Sequence, residues 1–170
     1  MDDWRYCPRC ATTLARAQTG VERHLRCPAC GFVKYDNPLP ATIGVVVRDG
    51  RVLLVRRAGE PHAGHWNTVG GFVTAGESAE QAMHREAREE IGVDVAIERR
   101  LGSWASVYGD TGLPTLGIAF LCRLADPAAA IRLSEESSEH RWFGREELPE
   151  LPFGDVRAAV HAWRDGSGER

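Results

Sequence analysis

Four of the five cysteines lie within the first 30 residues, in two Cys-x-x-Cys pairs separated by 16 residues. This spacing is typical of a site in which four thiolates bind one structural zinc ion. Two disulfides in a secreted protein are the alternative, but the first 25 residues contain no apolar segment of a signal peptide. The sequence therefore predicts a zinc ribbon whose ligands are Cys7, Cys10, Cys27 and Cys30.

The predicted ribbon covers residues 1–34 and is too short to fold by apolar burial alone, so bound zinc would supply much of its folding free energy. Gly31 follows the second cysteine pair and eases a tight turn, whereas Ala11 holds the same position after the first pair. We therefore expect the first turn to be less regular. Cys122 lies in an apolar stretch, and we expect its thiol to be buried and unreactive.

The overall composition narrows the classes of partner. The chain has 170 residues, a net charge of −3 and 43% hydrophobic residues. Because it contains no apolar run of the ~20 residues that span a bilayer, and no signal peptide, we expect a cytoplasmic protein without a membrane partner. The mild acidity argues against nucleic acid bound through bulk electrostatics.

The rest of the chain predicts a linker at residues 35–40, which contain two prolines, and a second domain over residues 41–170. Apolar, β-branched stretches on both sides of Asp49-Gly50 predict a β-hairpin. The predicted strands are 41–48, 52–57, 66–69, 93–98, 102–108, 115–124 and 141–143, and the predicted helices are 78–91 and 155–164. Strands do not alternate regularly with helices, which indicates an α+β fold.

The helix predicted at 78–91 carries three glutamates on one face. A capping-box pattern begins it and Gly92 follows it. Spacings of i, i+3 and i+4 bring together Glu86, Glu89 and Glu90. Apolar residues of the preceding turns lie on much the same side, so the carboxylates point inward and repel one another. A divalent cation such as Mg²⁺ or Mn²⁺ would reverse this cost. A solvated acidic face, with Arg85 and Arg88 as counter-ions, is the alternative.

A longer pattern surrounds these glutamates. Its members, in order, are Gly71, Glu77, Arg85-Glu86-Ala87, Glu89-Glu90 and Gly92-Val93. This series resembles the Nudix box, the signature of the Nudix hydrolases, at every charged and glycine position. Ala87 is smaller than the aliphatic residue usual in the family, and Val69 replaces a common proline. The resemblance implies a Nudix α/β/α sandwich with a mixed sheet, and hydrolysis of nucleoside diphosphates linked to another group.

The resemblance also implies roles for individual residues. The carbonyl of Gly70 would ligate the catalytic Mg²⁺ (or Mn²⁺) together with three carboxylates, those of Glu86, Glu89 and Glu90. Arg85 would hold the carboxylates in place, and Glu77 would support the loop or the metal shell. Such ions neutralise phosphate charge and lower the pKa of a bound water.

The general base is a glutamate outside the box in some members of the family. The acidic loop predicted at 134–140 offers Glu139 as the first candidate and Glu136 as the second. A solvated acidic loop without a catalytic role is the alternative. The sequence therefore leaves three possibilities for the general base: Glu139, Glu136, or neither of them.

The substrate class follows from the same resemblance. A zinc ribbon before a Nudix domain is the arrangement of NADH pyrophosphatases, but their Ser-Gln-Pro-Trp-type motif is absent from residues 102–108. The chain is more similar to ribbon-bearing FAD and ADP-ribose pyrophosphatases, through residues 27–31, Tyr35 and Asn37-Pro38. The resemblance implies hydrolysis of FAD or ADP-ribose to AMP, with NADH as the alternative and a non-catalytic nucleotide-sensing module as the second. A homodimer is compatible with it.

Five side chains are candidates for binding the nucleotide. Four aromatic rings offer stacking surfaces for a base: Trp66, Phe72, Trp104 and Tyr108. Core packing is the alternative for each, and we expect it for at least two of them. Arg57, at the end of its predicted strand, could hold a phosphate through two N–H groups, and a solvated arginine is the alternative.

Overall fold

The computed structural model describes residues 4–167. The chain divides into two compact units, residues 1–38 and 39–170. The first unit contains three strands: β1 (Ala15–Thr19), β2 (Glu22–Arg26) and β3 (Val33–Tyr35). The second contains β4 (Leu39–Arg48), β5 (Arg51–Arg57), β6 (Trp66–Asn67), α1 (Ala79–Ile91), β7 (Val95–Tyr108), β8 (Leu113–Leu124), β9 (Ser137–Phe143) and α2 (Gly154–Arg164). No helix within residues 4–167 has the length and apolar character required to span a membrane.

The first unit is an antiparallel sheet in the order β1-β2-β3, preceded by a tight turn that holds one cysteine pair. The two cysteine turns share one geometry. Cys7 O accepts the N–H of Ala11 at 2.9 Å, and Cys27 O accepts that of Gly31 at 3.0 Å. Ala11 has φ 56° and Gly31 has φ 73°, both left-handed. The expected irregularity of the first turn was wrong, because Ala11 adopts the strained conformation at a cost of about 1–2 kcal/mol that glycine avoids.

The second unit is built on a mixed sheet in the order β6-β5-β4-β8-β7, with β9 also paired to β5. β4 and β8 run parallel, and the other pairs run antiparallel. Successive residues of a strand point to opposite faces. Val45 and Leu54 therefore pack in the core that includes α2, whereas Val46 and Leu53 pack in the core that includes α1. This confirms the α+β class and the three-layered sandwich.

Most predicted elements are present with shifted ends. The hairpin is confirmed, and its turn residues Asp49 and Gly50 have φ 50° and 73°. The two strands predicted at 93–98 and 102–108 are one strand, β7, because irregularities near Ile97 and Arg100 absorb the break in alternation. Cys122 is fully buried as expected, and burial raises the pKa of its thiol to about 12.

Candidate active site

The ends and the buried side of α1 fix the position of the acidic residues. Ser78 and Gln81 form the predicted capping box, in which Gln81 Oε1 accepts the N–H of Ser78 at 2.7 Å. Gly92 follows the helix with φ 68°, and its N–H donates to Arg88 O. The helix is anchored on the sheet by its buried residues, Ala82, Met83, Ala87 and Ile91.

The two glycines before the helix allow backbone and carboxylate to approach closely. Gly70 has φ 146°, and a Cβ there would lie 2.2 Å from the carbonyl oxygen of Thr42. A Cβ at Gly71 would lie 2.5 Å from Glu86 Oε1. Because no side chain fits at either position, the glycines let the loop pass between β4 and the acidic face of α1.

Arg85 collects three of the predicted site residues around one guanidinium. Its Nη2 and Nε donate to the two oxygens of Glu77 at 2.7 and 3.1 Å. Its Nη1 donates to Glu86 Oε1 at 2.8 Å and to Glu89 Oε2 at 3.0 Å. Hydrogen bonds from Arg85 lower the pKa of Glu77 to about 2. The arginine therefore holds the loop carboxylate and two helix carboxylates in fixed orientations.

Glu90 lies outside this cluster. Its Oε2 accepts the N–H of Gly70 at 3.0 Å, and no ion pair joins Glu90 to any residue within 4–167. Burial raises the pKa of Glu90 to about 8, and the negative charges of Glu86 and Glu136 act in the same direction. Burial also raises the pKa of Glu86. Arg85 offsets this cost in part at Glu86, whereas Glu90 has no direct ion pair in the described part of the chain, and a bound cation would supply further positive charge.

The carboxylates do not converge as the thiols do. Among the described residues, the four cysteines are the one group whose metal-ligating atoms all lie within 4.8 Å of one another. Glu86 and Glu89 turn toward Arg85, and Glu90 turns toward Gly70. Their donor chemistry suits a hard cation. Shared ligation would require Glu86 or Glu89 to reorient.

The cysteine cluster has the geometry of a zinc site. Cys7 Sγ lies 3.5 Å from Cys30 Sγ, and Cys10 Sγ lies 3.5 Å from Cys27 Sγ. Tetrahedral zinc with bonds of about 2.3 Å separates its sulfurs by about 3.8 Å, so four thiolates at these positions fit the ion. Hydrogen bonding with Thr12 lowers the pKa of Cys10, which favours its thiolate, whereas burial and the neighbouring thiols raise the pKa of Cys30.

A cavity of about 440 Å³ extends from the acidic face of α1 past the ends of β4 and β8 to the start of α2. Three of the five predicted binding residues line it, namely Arg57, Phe72 and Tyr108. The other two pack elsewhere. The ring of Trp66 meets Phe143 edge-on at 4.9 Å, and Trp104 packs against the core that includes α2.

The two candidate bases are placed differently. Glu136 lines the cavity with Glu86, Glu89 and Glu90. Glu139 is not on a loop, because β9 begins at residue 137 and pairs Glu139 with Arg56 of β5. Arg56 Nη1 donates to Glu139 Oε2 at 3.3 Å. The prediction of a loop over 134–140 was therefore wrong beyond residue 136.

Comparison with known proteins identifies the family. The model of the NUDIX domain matches residues 38–163. The chain belongs to the Nudix family. It is similar to NAD-capped RNA hydrolase NudC of Chromobacterium violaceum, with 37% identity over 150 residues, which are 88% of this chain and 53% of that protein. It is also similar to an ADP-ribose pyrophosphatase of Methanocaldococcus jannaschii, with 29% identity over 134 residues and 78% of each chain.

A solved relative supports the Nudix fold over nearly the whole chain. The crystal structure of a NUDIX hydrolase from Nitrosomonas europaea matches with a TM-score of 0.78 and 24% identity, over 95% of this chain and 90% of that one. This Nudix chain spans about half the length of the NudC relatives it matches.

Several cavity residues of this Nudix protein escaped sequence reasoning. The hydroxyl of Thr42 and the side-chain oxygen of Asn67 are buried without a hydrogen-bond partner in the described part of the chain, and both residues line the cavity. Phe153 and Asp155 line it from the start of α2. A polar Thr42 within an apolar strand was an available signal. Asp155 gave none, because an aspartate in the first turn is ordinary for any helix.

Proposed function

We propose that this Nudix protein hydrolyses the diphosphate bond of a nucleoside diphosphate linked to another group. The favoured substrates are ADP-ribose and FAD, with AMP as one product. The observation that carries the proposal is the cavity that joins the carboxylates of α1 to aromatic side chains and Arg57. One end suits a cation with phosphates, and the other suits a flat ring.

The names of the relatives support an ADP-containing substrate. One relative is named for NAD-capped RNA and another for ADP-ribose. Both substrates contain an ADP half, which FAD and NADH share. NADH is the alternative, and the missing Ser-Gln-Pro-Trp-type motif argues against it. The net charge of −3 gives no general attraction to RNA, so we propose a small nucleotide as the substrate and not a nucleic acid.

The catalytic ion would be Mg²⁺ or Mn²⁺, held by Glu86, Glu89 and Glu90 with the carbonyl of Gly70. When bound, such an ion neutralises the diphosphate and lowers the pKa of the attacking water. Zinc, held by the four clustered cysteines, would be structural.

The remaining steps belong to side chains of the cavity. Arg57 donates from Nε to Pro61 O at 2.7 Å and from Nη2 to Glu60 O at 3.3 Å, which leaves N–H groups of the anchored guanidinium for a phosphate. Arg85 orients Glu86 and Glu89. Glu136, from its place on the cavity wall, would accept the proton of the attacking water.

The assignment of the base predicts unequal effects for two neighbouring variants. Glu136→Gln is expected to lower kcat by about 100- to 10,000-fold, because proton transfer to a positioned carboxylate contributes that range. Glu139→Gln is the matched control and should leave kcat within about threefold, since Glu139 pairs with Arg56 on the sheet. Steady-state kinetics with saturating Mg²⁺ measure both. The reverse ranking would return the role to Glu139.

The activity itself is tested with a panel of nucleotides. The full chain is incubated with ADP-ribose, FAD, NADH and an NAD-capped oligoribonucleotide, with and without Mg²⁺. Chromatography measures AMP from the three small substrates and the 5′-monophosphorylated oligoribonucleotide from the capped RNA. We expect Mg²⁺-dependent AMP release from ADP-ribose or FAD. Tight nucleotide binding without cleavage of any member would contradict hydrolysis and favour a sensing module. Faster conversion of the capped RNA to its 5′-monophosphate than of any small nucleotide to AMP would overturn the choice of a small substrate.

A further inference from the structure

Asp155 is a buried acid in the second unit whose carboxylate is only partly satisfied. The residue is 7% exposed and lies in the first turn of α2. Its Oδ1 accepts the N–H of Val156 at 3.0 Å. Within residues 4–167 no N–H or O–H group donates to Oδ2, and no arginine or lysine pairs with Asp155. A carboxylate has room for about four donors, so this burial is costly unless a ligand supplies some of them.

A glycine in the sheet lets the side chain of Asp155 pack directly against the backbone of β8. A Cβ at Gly117 would lie 2.7 Å from Asp155 Oδ2 and 2.6 Å from Ile43 Cδ1. Gly117 pairs with Ala41 across β4 and β8, so two small residues lie side by side at this point of the sheet. Asp155 and Ala41 both line the cavity. The carboxylate therefore rests on the sheet on one side and borders the cavity on another, and its Oδ2 is not among the fully buried atoms that lack a partner in the described part of the chain.

Aromatic rings form the wall beside this carboxylate. Phe72 meets Tyr108 at 5.3 Å, and Tyr108 stacks on Phe153 at 5.7 Å with an interplanar angle of 14°. All three rings belong to residues that line the same cavity as Asp155. An apolar wall next to an unsatisfied acceptor suits a flat group with N–H donors at its edge. A ribose has no flat face to set against the rings.

We propose that Asp155 determines specificity by accepting a hydrogen bond from an N–H group of a planar heterocycle. The inference rests on the proposed function, because its favoured substrates, ADP-ribose and FAD, have one heterocycle in common, adenine. The donor is then the 6-amino group of adenine, and the aromatic wall of Phe72, Tyr108 and Phe153 contacts the ring. Asp155 acts on recognition of the base and touches none of the reacting atoms.

The test compares two ligands that differ in this amino group. Binding of AMP and of purine riboside 5′-monophosphate, which lacks it, is measured by calorimetry on the full chain and on Asp155→Leu. We expect the wild type to bind AMP about 10- to 100-fold more tightly, because the lost contact is a hydrogen bond to a charged group. In Asp155→Leu the difference should fall below about threefold, through loss of AMP binding alone.

Two further variants keep the result interpretable. Asp165→Asn removes one negative charge at the exposed end of α2 and should preserve the preference for AMP. Asp155→Asn, which preserves side-chain volume, replaces the leucine variant if that variant does not fold. It should reduce the preference for AMP by about threefold or more, since a neutral acceptor is weaker. Equal weakening of both ligands in an Asp155 variant would overturn the proposal and indicate a structural role.

The remaining outcomes are also decisive. A wild type that does not prefer AMP overturns the proposal. The proposal is also overturned if the wild type binds 2′-deoxy-AMP more weakly than AMP but binds the purine riboside monophosphate as tightly as AMP. The group that donates to Asp155 would then be a ribose hydroxyl. Because these measurements need no turnover, failure to hydrolyse ADP-ribose or FAD would refute the proposed function and leave the binding result to be judged separately.

Discussion

Glu90→Gln is expected to lower Mg²⁺-dependent hydrolysis by about 1,000-fold or more without disrupting the fold. Glutamine keeps an oxygen that can accept the N–H of Gly70, which Glu90 Oε2 accepts at 3.0 Å. It loses the charge that a catalytic cation requires. Single-turnover assays across a range of Mg²⁺ concentrations, with circular dichroism as the check on folding, measure the effect. Undiminished turnover would contradict the assignment of Glu90 as a ligand.

The same substitution should stabilise the metal-free protein, which separates loss of chemistry from loss of structure. The pKa of Glu90 is about 8 in the fold, against an ordinary value of 4.5. A carboxyl group whose folded pKa is raised makes the folded state less stable as the pH rises between these two values. The uncharged glutamine avoids this penalty, so the gain in melting temperature should be larger at pH 8 than at pH 5. Glu150→Gln, at an exposed position outside the cavity lining, is the matched control and should change neither property.

The sequence predicted α1 and its loop well because their constraints are local. A capping box, a left-handed glycine and the i, i+3, i+4 spacing act within a few residues, and each can be read from neighbouring letters. The glycine pair at 70–71 was recognised from its place in the Nudix-box pattern, although the contacts that favour glycine there, with Thr42 and Glu86, come from distant segments. The place of Arg85 among the carboxylates was implied by the resemblance to the Nudix box, and the helix that carries all of these residues brings it there.

The other parts of the site depend on contacts between distant segments, and these the sequence did not reveal. Residues 137–140 are polar and read as a loop, yet pairing with β5 makes them a strand and turns Glu139 toward Arg56. Asp155 packs against the sheet at Gly117, almost 40 positions earlier, where a side chain would clash with its carboxylate. The sequence could not show that Phe72 lines the cavity whereas Trp66 packs against Phe143. Both are aromatic residues of the same stretch, and both are half-buried in the structure.

Loss of one zinc ligand is expected to unfold the first unit and leave the second folded. Among residues 4–38, the buried residues are Cys7 and Cys27, and no apolar cluster is present in that part of the chain. Hydrophobic side chains there are largely exposed, with Tyr6 at 55% and Val21 at 94%. A three-stranded sheet without a core has little to offset its conformational entropy. Structural zinc sites contribute about 10–16 kcal/mol in isolated zinc-finger peptides, which is enough to do so.

Cys27→Ser should therefore abolish the stoichiometric zinc content of the purified chain and remove the dispersed amide resonances of residues 4–38. The second unit has its own two cores, one on each face of its sheet, so its melting transition and its response to Mg²⁺ should persist. Cys122→Ser is the matched control, because this thiol is buried among core residues far along the chain and its replacement should leave zinc content unchanged. Full zinc content and an unaltered melting profile in Cys27→Ser would refute the zinc ribbon. Loss of both transitions would instead show that the zinc site also supports the Nudix fold.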